Sequence, residues 1–169
     1  MKFLMFVGCS GSGKSTLARE LTQANERVVV VSSDAVIEEL ALAEGLSYQE
    51  AFSIYKTHAQ DVAVQTALTA FDRGLDVIWD QTNLLRSVRA KRLEMVPDGY
   101  EKIAVVFQAS YGVLRHNLDA RIGAGGHDVP DAALHMQAAQ FEMPDFDEGF
   151  DRIMSKQAEL APEPCALAL

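Results

Sequence analysis

An apolar run, Lys2-Phe3-Leu4-Met5-Phe6-Val7, leads without a break into Gly8-Cys9-Ser10-Gly11-Ser12-Gly13-Lys14-Ser15. The second piece fits G-x-x-x-x-G-K-[ST], a pattern that demands a strand before it and a helix after it. Thr16-Leu17-Ala18-Arg19-Glu20-Leu21 supplies the helix, with Leu17 and Leu21 one turn apart. Gly8, Gly11 and Gly13 let the backbone turn tightly and aim its N–H groups at an anion. The helix adds its positive amino end at the same spot. Lys14 then reaches the β- and γ-phosphates of a nucleoside triphosphate, and the Ser15 hydroxyl can ligate Mg²⁺. Ser10, Ser12 and Thr16 belong to the same nucleotide-holding stretch.

The rest of the chain alternates strands and helices. Arg27–Ser32 reads as a strand whose consecutive valines suit burial on both faces. A helix is expected over Ala35–Glu44. Ser47 and Glu50 have capping-box spacing and open a long helix to about Asp72, closed by Arg73-Gly74. Ala51, Tyr55, Ala59 and Val62 mark its first apolar face, and Val64, Leu68 and Phe71 a rotated one. Leu75–Trp79 is a third strand, Arg86–Val96 a helix, Lys102–Gln108 a fourth strand and Tyr111–Ile122 a helix. The glycine-rich 123–128 is a loop, and Pro130 stands near the first position of a helix running to about Phe141. Asp151–Met154 reads as a short fifth strand. The expectation is one domain over 1–156, with a lid at about 115–130 and a tail over 157–169. Such alternation predicts an α/β fold of three layers, with a mostly parallel sheet of four to five strands.

Ligands of such sheets collect at the carboxyl ends of the strands. That rule brings Ser10–Ser15, Asp34 and Asp80–Asn83 to one crevice. Asp34 leaves the second strand where a carboxylate can orient an attacking hydroxyl and take its proton, or can cap the helix that follows. Asp80 ends the third strand, where an acidic residue supports Mg²⁺. Thr82 and Asn83 are placed to bond an acceptor or to shape the turn. Arg115 and Arg121, on the helix entering the loop, have guanidinium groups suited to phosphoryl oxygens. His116 reads as exposed. Arg86, Arg89 and Arg92 recur every three residues beside Lys91, which makes either a positive stripe next to the acceptor or a solvated face. Trp79 and Phe6 are core.

Composition bounds the partners. The chain has 169 residues, 49% of them apolar, and a formal net charge of −9. That charge argues against a broad surface for tracking nucleic-acid phosphates, though not against a small local basic site. The five-residue apolar run at the start falls short of the roughly 7–15 residues of a secretory core, so no signal peptide is expected. Cys9 and Cys165 form no spaced pair, which fits a reducing, cytoplasmic setting.

The ordered set G-C-S-G-S-G-K-S-T at 8–16, V-S-S-D at 31–34, D-Q-T-N at 80–83 and R-H-N…R at 115–121 resembles the polynucleotide-kinase-like P-loop phosphotransferases. V-P-D at 129–131 and F-E-M-P-D-F-D-E-G-F-D-R-I at 141–153 extend the likeness over about residues 2–154. The resemblance implies a P-loop NTPase fold and transfer of phosphate from ATP, with Mg²⁺, to a hydroxyl, often the 5′-OH of DNA or RNA. It implies Lys14, Asp34 and Arg121 as catalytic, Asp34 being the base and Arg121 the lid arginine. Arg115 would join the loop in holding nucleotide, Ser15 and Asp80 the metal, and Asp34, Thr82, Asn83 and Arg89 the acceptor. End-healing members carry an arginine three residues after the aspartate, and here that residue is Ile37. Related phage-type kinases phosphorylate hydroxymethylated pyrimidines within DNA, so the polynucleotide acceptor, DNA before RNA, is either a 5′ end or such a base. Two rival readings stand beside it. One is a kinase of a nucleoside, nucleotide or other small metabolite, and the other a nucleotide-dependent switch, which the lack of an N-K-x-D sequence weakens.

Overall fold

A computed structural model describes residues 1–158 and 160. Among these, five strands form one sheet in the order β2-β3-β1-β4-β5, every neighbouring pair parallel. The strands are β1 Lys2–Val7, β2 Val28–Val31, β3 Asp76–Trp79, β4 Glu101–Gln108 and β5 Arg152–Gln157. The helices are α1 Lys14–Ala24, α2 Ser33–Glu44, α3 Tyr48–Asp72, α4 Arg86–Leu93, α5 Tyr111–Gly123 and α6 Asp131–Ala139. From β1 the chain crosses first to the edge as β2, fills in β3 between β2 and β1, then adds β4 and β5 on the other side of β1. The crevice expected at such a reversal lies at the carboxyl end of β1.

Alternation along β1 decides the layers. Phe3, Met5 and Val7 point to one face, where Ala63, Ala67, Ala70 and Phe71 of α3 and Leu93 of α4 pack with Trp79. Phe6 points to the other, with Leu4 beside it, against Ala18, Leu17 and Leu21 of α1. Residues of β1 are buried from both sides, which is why the strand reads as continuously apolar. The buried face of α3 is a run of alanines, Ala51, Ala59, Ala63, Ala67 and Ala70. Small side chains there let a 25-residue helix lie close to the sheet and to α2. Of the second face expected on α3, Phe71 is buried, Val64 packs at the edge of the core, and Leu68 is exposed.

The long helix opens with both halves of its capping box formed, Ser47 to the Glu50 amide and Glu50 back to the Ser47 amide. Several boundaries differ from the sequence expectation. The α2 helix begins two residues early, because Ser32 is its cap and accepts from the Ala35 amide. Asp34 is thereby in the first turn and not at the cap. Helix α4 stops at Leu93, and α6 begins at Asp131, with Pro130 as the residue before it, and ends at Ala139. Strand β5 runs through Gln157, and Ala158 still donates to the Gln108 carbonyl, so the start of the expected tail belongs to the sheet. Residues 159 and 161–169, Cys165 among them, lie outside the described residues. Among the described residues, no helix is long and apolar enough to cross a membrane.

Candidate active site

The glycine loop leaves β1 and wraps onto α1. Gly13, at φ 89°, caps the helix in the left-handed region that an L side chain avoids. Gly11, at φ 80°, also lies against α5, where a β-carbon would stand 2.6 Å from the Leu114 carbonyl. Asn117 of α5 donates to the Gly11 carbonyl at 2.9 Å, and the Gly8 amide donates to the Thr82 carbonyl at 3.0 Å. The loop is thus held from both sides before any ligand arrives.

Lys14 is buried, and its Nζ donates to the Cys9 carbonyl at 2.8 Å. Burial pushes its pKa below the ordinary lysine value, against the pull of Asp80, Cys9 and Asp34, while Arg121 pushes the same way as burial. So charges from three other stretches, Asp80, Asp34 and Arg121, all bear on Lys14. Asp80 is buried too, and burial raises its pKa, while Lys14 and a hydrogen bond from the Ser15 side chain oppose the rise. Ser15 and Asp80, the two residues expected to hold a metal, are in contact. A hydroxyl and one carboxylate suit an ion that takes its other ligands from phosphate and water. Thr16 follows, exposed in the first turn of α1.

A cleft of about 670 Å³ opens beside the loop, bounded by α2, α3, the Gln81-Thr82 turn and the segment 127–137. Asp34 lies on it, exposed, and accepts at Oδ1 from the Tyr48 hydroxyl at 3.1 Å. Burial and then the Asp34 charge raise the Tyr48 pKa, so the phenol keeps its proton and remains a donor. The Tyr48 ring stacks on His127, centroids 3.5 Å apart and planes 4° from parallel. His127 Nδ1 lies 2.8 Å from Glu38 Oε1 of α2. Beneath Asp34, Gln60 and Gln81 both donate to Ser33 Oγ, at 3.0 and 2.8 Å. Arg92 donates to Gln60 and lies over the Trp79 ring, whose Nε1 donates to Gln81. This network carries the position of Ser33, one residue before Asp34, back into the core.

The segment expected as a lid, about 115–130, takes in most of α5 and the glycine loop that joins it to α6. Arg121 donates from Nε and Nη2 to the His127 carbonyl, at 3.1 and 2.8 Å. Gly126 sits so close that a β-carbon would meet Arg121 Cγ at 2.5 Å. From α6, Gln137 accepts from the Ser10 amide at 2.8 Å and donates to Ser10 Oγ.

Four expectations are corrected. Arg89 is fully buried and pairs with Glu148 at 2.7 Å, while its Nη1 donates to the carbonyls of Asn83, Leu84 and Glu142. It ties the segment after α6 to α4 and has no path to an acceptor. The three arginines thus form neither a stripe nor a solvated face: Arg86 pairs with Asp147 outside, Arg89 is core, and Arg92 covers Trp79. Asn83 is buried at φ 47° and donates to the Phe6 carbonyl, which makes it a turn residue that stitches β3 to β1. Arg115 ties this segment to itself through Asp119, Asp128, Asp131 and the Val129 carbonyl, and the bonds to Asp128 and Asp119 raise its pKa. Thr82 does line the cleft, and its carbonyl anchors Gly8. Ile37 is buried among α2 and α3 residues. His116 is half-buried, not exposed.

Sequence reasoning missed Tyr48, His127, Gln137 and the Ser33-Gln60-Gln81 network. Their partners lie on other elements, up to 127 residues away, and no spacing rule connects them.

Residues 3–144 match the AAA_33 family, described as an AAA domain. Among solved structures, the chain is similar to a protein assigned as a kinase from Chloroflexus aurantiacus J-10-fl, at 21% identity over 92% of this chain and 84% of the other, TM-score 0.71. It is similar to a gluconokinase from Sinorhizobium meliloti 1021, at 21% identity over 95% and 84%, TM-score 0.59. It is also similar to a fungal RNA kinase, at 14% identity over 95% and 77%, TM-score 0.59. At these identities the likeness is one of fold, and the fold is that of P-loop kinases.

Proposed function

The chain belongs to the AAA_33 family, and we propose that it is an ATP-dependent phosphotransferase whose acceptor is a hydroxyl on a polynucleotide. The observation that carries this reading is the exposed Asp34 carboxylate on a cleft that Ser10 of the phosphate loop also lines, with Lys14 buried in that loop. A switch or a simple ATPase has no use for an exposed carboxylate aimed into an acceptor-sized cleft.

The loop amides and Lys14 seat the β- and γ-phosphates, and Arg121 approaches from the lid. Ser15 and Asp80 would hold Mg²⁺, which when bound neutralises charge on the phosphate oxygens. Asp34, steadied by Tyr48, accepts a hydrogen bond from the acceptor hydroxyl and aims its oxygen in line. The acceptor oxygen bonds to the γ-phosphorus as the bond to the β-bridging oxygen breaks. The hydroxyl proton passes to Asp34, and ADP leaves. The acceptor hydroxyl is either a 5′ end or a hydroxymethylated pyrimidine such as hydroxymethyluracil within DNA.

A small-metabolite kinase is the second reading. The net charge of −9 and the likeness to a gluconokinase favour it. The deciding experiment follows labelled γ-phosphate from ATP and Mg²⁺ onto a 5′-OH oligonucleotide, an end-blocked duplex containing hydroxymethyluracil, and a mixture of nucleosides, nucleotides and gluconate. Label on either polynucleotide is the expected result. Label on small molecules alone removes the polynucleotide and keeps the phosphotransferase, and label on none removes both.

A further inference from the structure

The wall of the cleft formed by α3 presents Tyr48, Phe52 and Lys56 at four-residue steps, hence on one face a turn apart. Tyr48 is already engaged by Asp34 and His127. Phe52 is 43% exposed, and its aromatic neighbour among the described residues is Tyr48, ring centroids 6.0 Å apart. Lys56 is exposed and has no hydrogen-bond or ion-pair partner among the described residues. It is also the sole lysine or arginine lining the cleft, where Asp34, Asp61 and Asp128 are the carboxylates.

An exposed phenyl ring next to a lone, unpaired cation is costly decoration in a chain this acidic, and it matches one ligand chemistry. We infer that Phe52 and Lys56 read the acceptor: Phe52 stacks on an aromatic base and Lys56 grips a phosphate, while the hydroxyl lies at Asp34. Neighbours at i and i+4 stand about 5–6 Å apart, and the lysine stem leans back toward the amino end of α3, toward Phe52 and Tyr48. With the hydroxyl taken as the 5′ end of the proposed reading, base, phosphate and hydroxyl belong to one nucleotide unit whose phosphate is on the 3′ side. A sugar acid has an anion and no ring to stack, and a polyol has neither. One cation among three carboxylates also suits a single phosphate and repels a long run of them. This inference rests on the phosphotransferase reading and narrows its acceptor. The unit is either a free nucleoside 3′-monophosphate or the end of a strand.

Binding without turnover tests it. A labelled single-stranded 5′-OH oligonucleotide, a nucleoside 3′-monophosphate and the bare nucleoside are titrated without ATP over a range of salt. Lys56→Ala should weaken both phosphate-bearing ligands about tenfold relative to the nucleoside. It should also lower the salt slope of oligonucleotide binding by about 0.7, the share of one contact. Lys56→Arg should restore both. Phe52→Ala should weaken all three ligands about tenfold. Both side chains are exposed in mid-helix, where alanine is well tolerated. Equal binding of mononucleotide and oligonucleotide makes the acceptor a free nucleotide, and a tenfold advantage for the oligonucleotide makes it a strand end. Either supports the inference. Unchanged affinity and slope in Lys56→Ala overturn it, as does unchanged affinity for all three ligands in Phe52→Ala. Binding that behaves as described with no phosphate transferred would overturn the phosphotransferase reading alone.

Discussion

The Tyr48 hydroxyl donates to Asp34 Oδ1 at 3.1 Å from the first turn of a different helix, 14 residues along the chain. The carboxylate proposed as base is therefore exposed yet directed. Replacing Asp34 by Asn keeps the shape and the hydrogen bond but removes the proton acceptor. Transfer should fall about 10²–10⁴-fold with ATP affinity retained, measured by single turnover and by nucleotide titration. Tyr48→Phe should cost less, about tenfold in kcat, because it frees the carboxylate without removing it. A full rate in Asp34→Asn would mean another group takes the proton.

Lys14→Ala should abolish transfer. The buried Nζ is the one ammonium inside the phosphate loop, where burial makes each charge interaction stronger than it is in water. Residual transfer above a tenth of the wild-type rate would place the γ-phosphate elsewhere.

Arg121 and Gly126 form a linked pair. Arg121→Ala should lower turnover by up to about 10³-fold if the guanidinium meets the transferring group. Gly126→Ala adds a methyl where Arg121 Cγ now lies, so it should displace the arginine and reduce turnover too, with the guanidinium itself retained. A normal rate in both variants removes the lid arginine from the chemistry.

Much of this could be read from the chain because phosphate loops encode their own surroundings: strand, glycines and helix are contiguous, and β-strand ends point ligands to one rim. The same logic placed Asp34 on the cleft beside the loop and Asp80 against Ser15. It failed for Arg89, since periodicity on α4 cannot say which of three arginines meets a buried carboxylate 59 residues later. It failed for Asn83 because a buried turn amide and an acceptor ligand look alike in sequence. The Tyr48–His127 stack depends on how the lid folds back, which only the assembled structure specifies.

Arg89 and Glu148 make a bidentate pair, 2.8 and 2.7 Å, with essentially no exposure. Arg89→Met strands a buried carboxylate and should cost about 3–5 kcal/mol in urea unfolding. Arg89→Met with Glu148→Leu should recover a large part of that loss. If the single variant is as stable as wild type, the pair does not hold α4 to the segment after α6.

His127 holds a proton less readily in the folded chain than at its ordinary value of 6.5, through burial first and Arg121 second, with Glu38 opposing. The unfolded chain therefore takes up a proton that the folded chain resists as pH falls through 6.5. The contribution of His127 is complete above that pH and is lost below it. Unfolding free energies at about pH 7.5 and about pH 5.5 should differ more in wild type than in His127→Phe. Equal differences would show that the imidazole does not titrate with folding.

Gln137 of α6 occupies the Ser10 amide and hydroxyl with its own side-chain amide. An anion seated against the Ser10 amide has to displace the Gln137 side chain, so filling the loop and releasing this tie to α6 are one event. In the proposed reading, the same side chain that yields to the phosphates lines the cleft given to the acceptor, and the two substrates share a border.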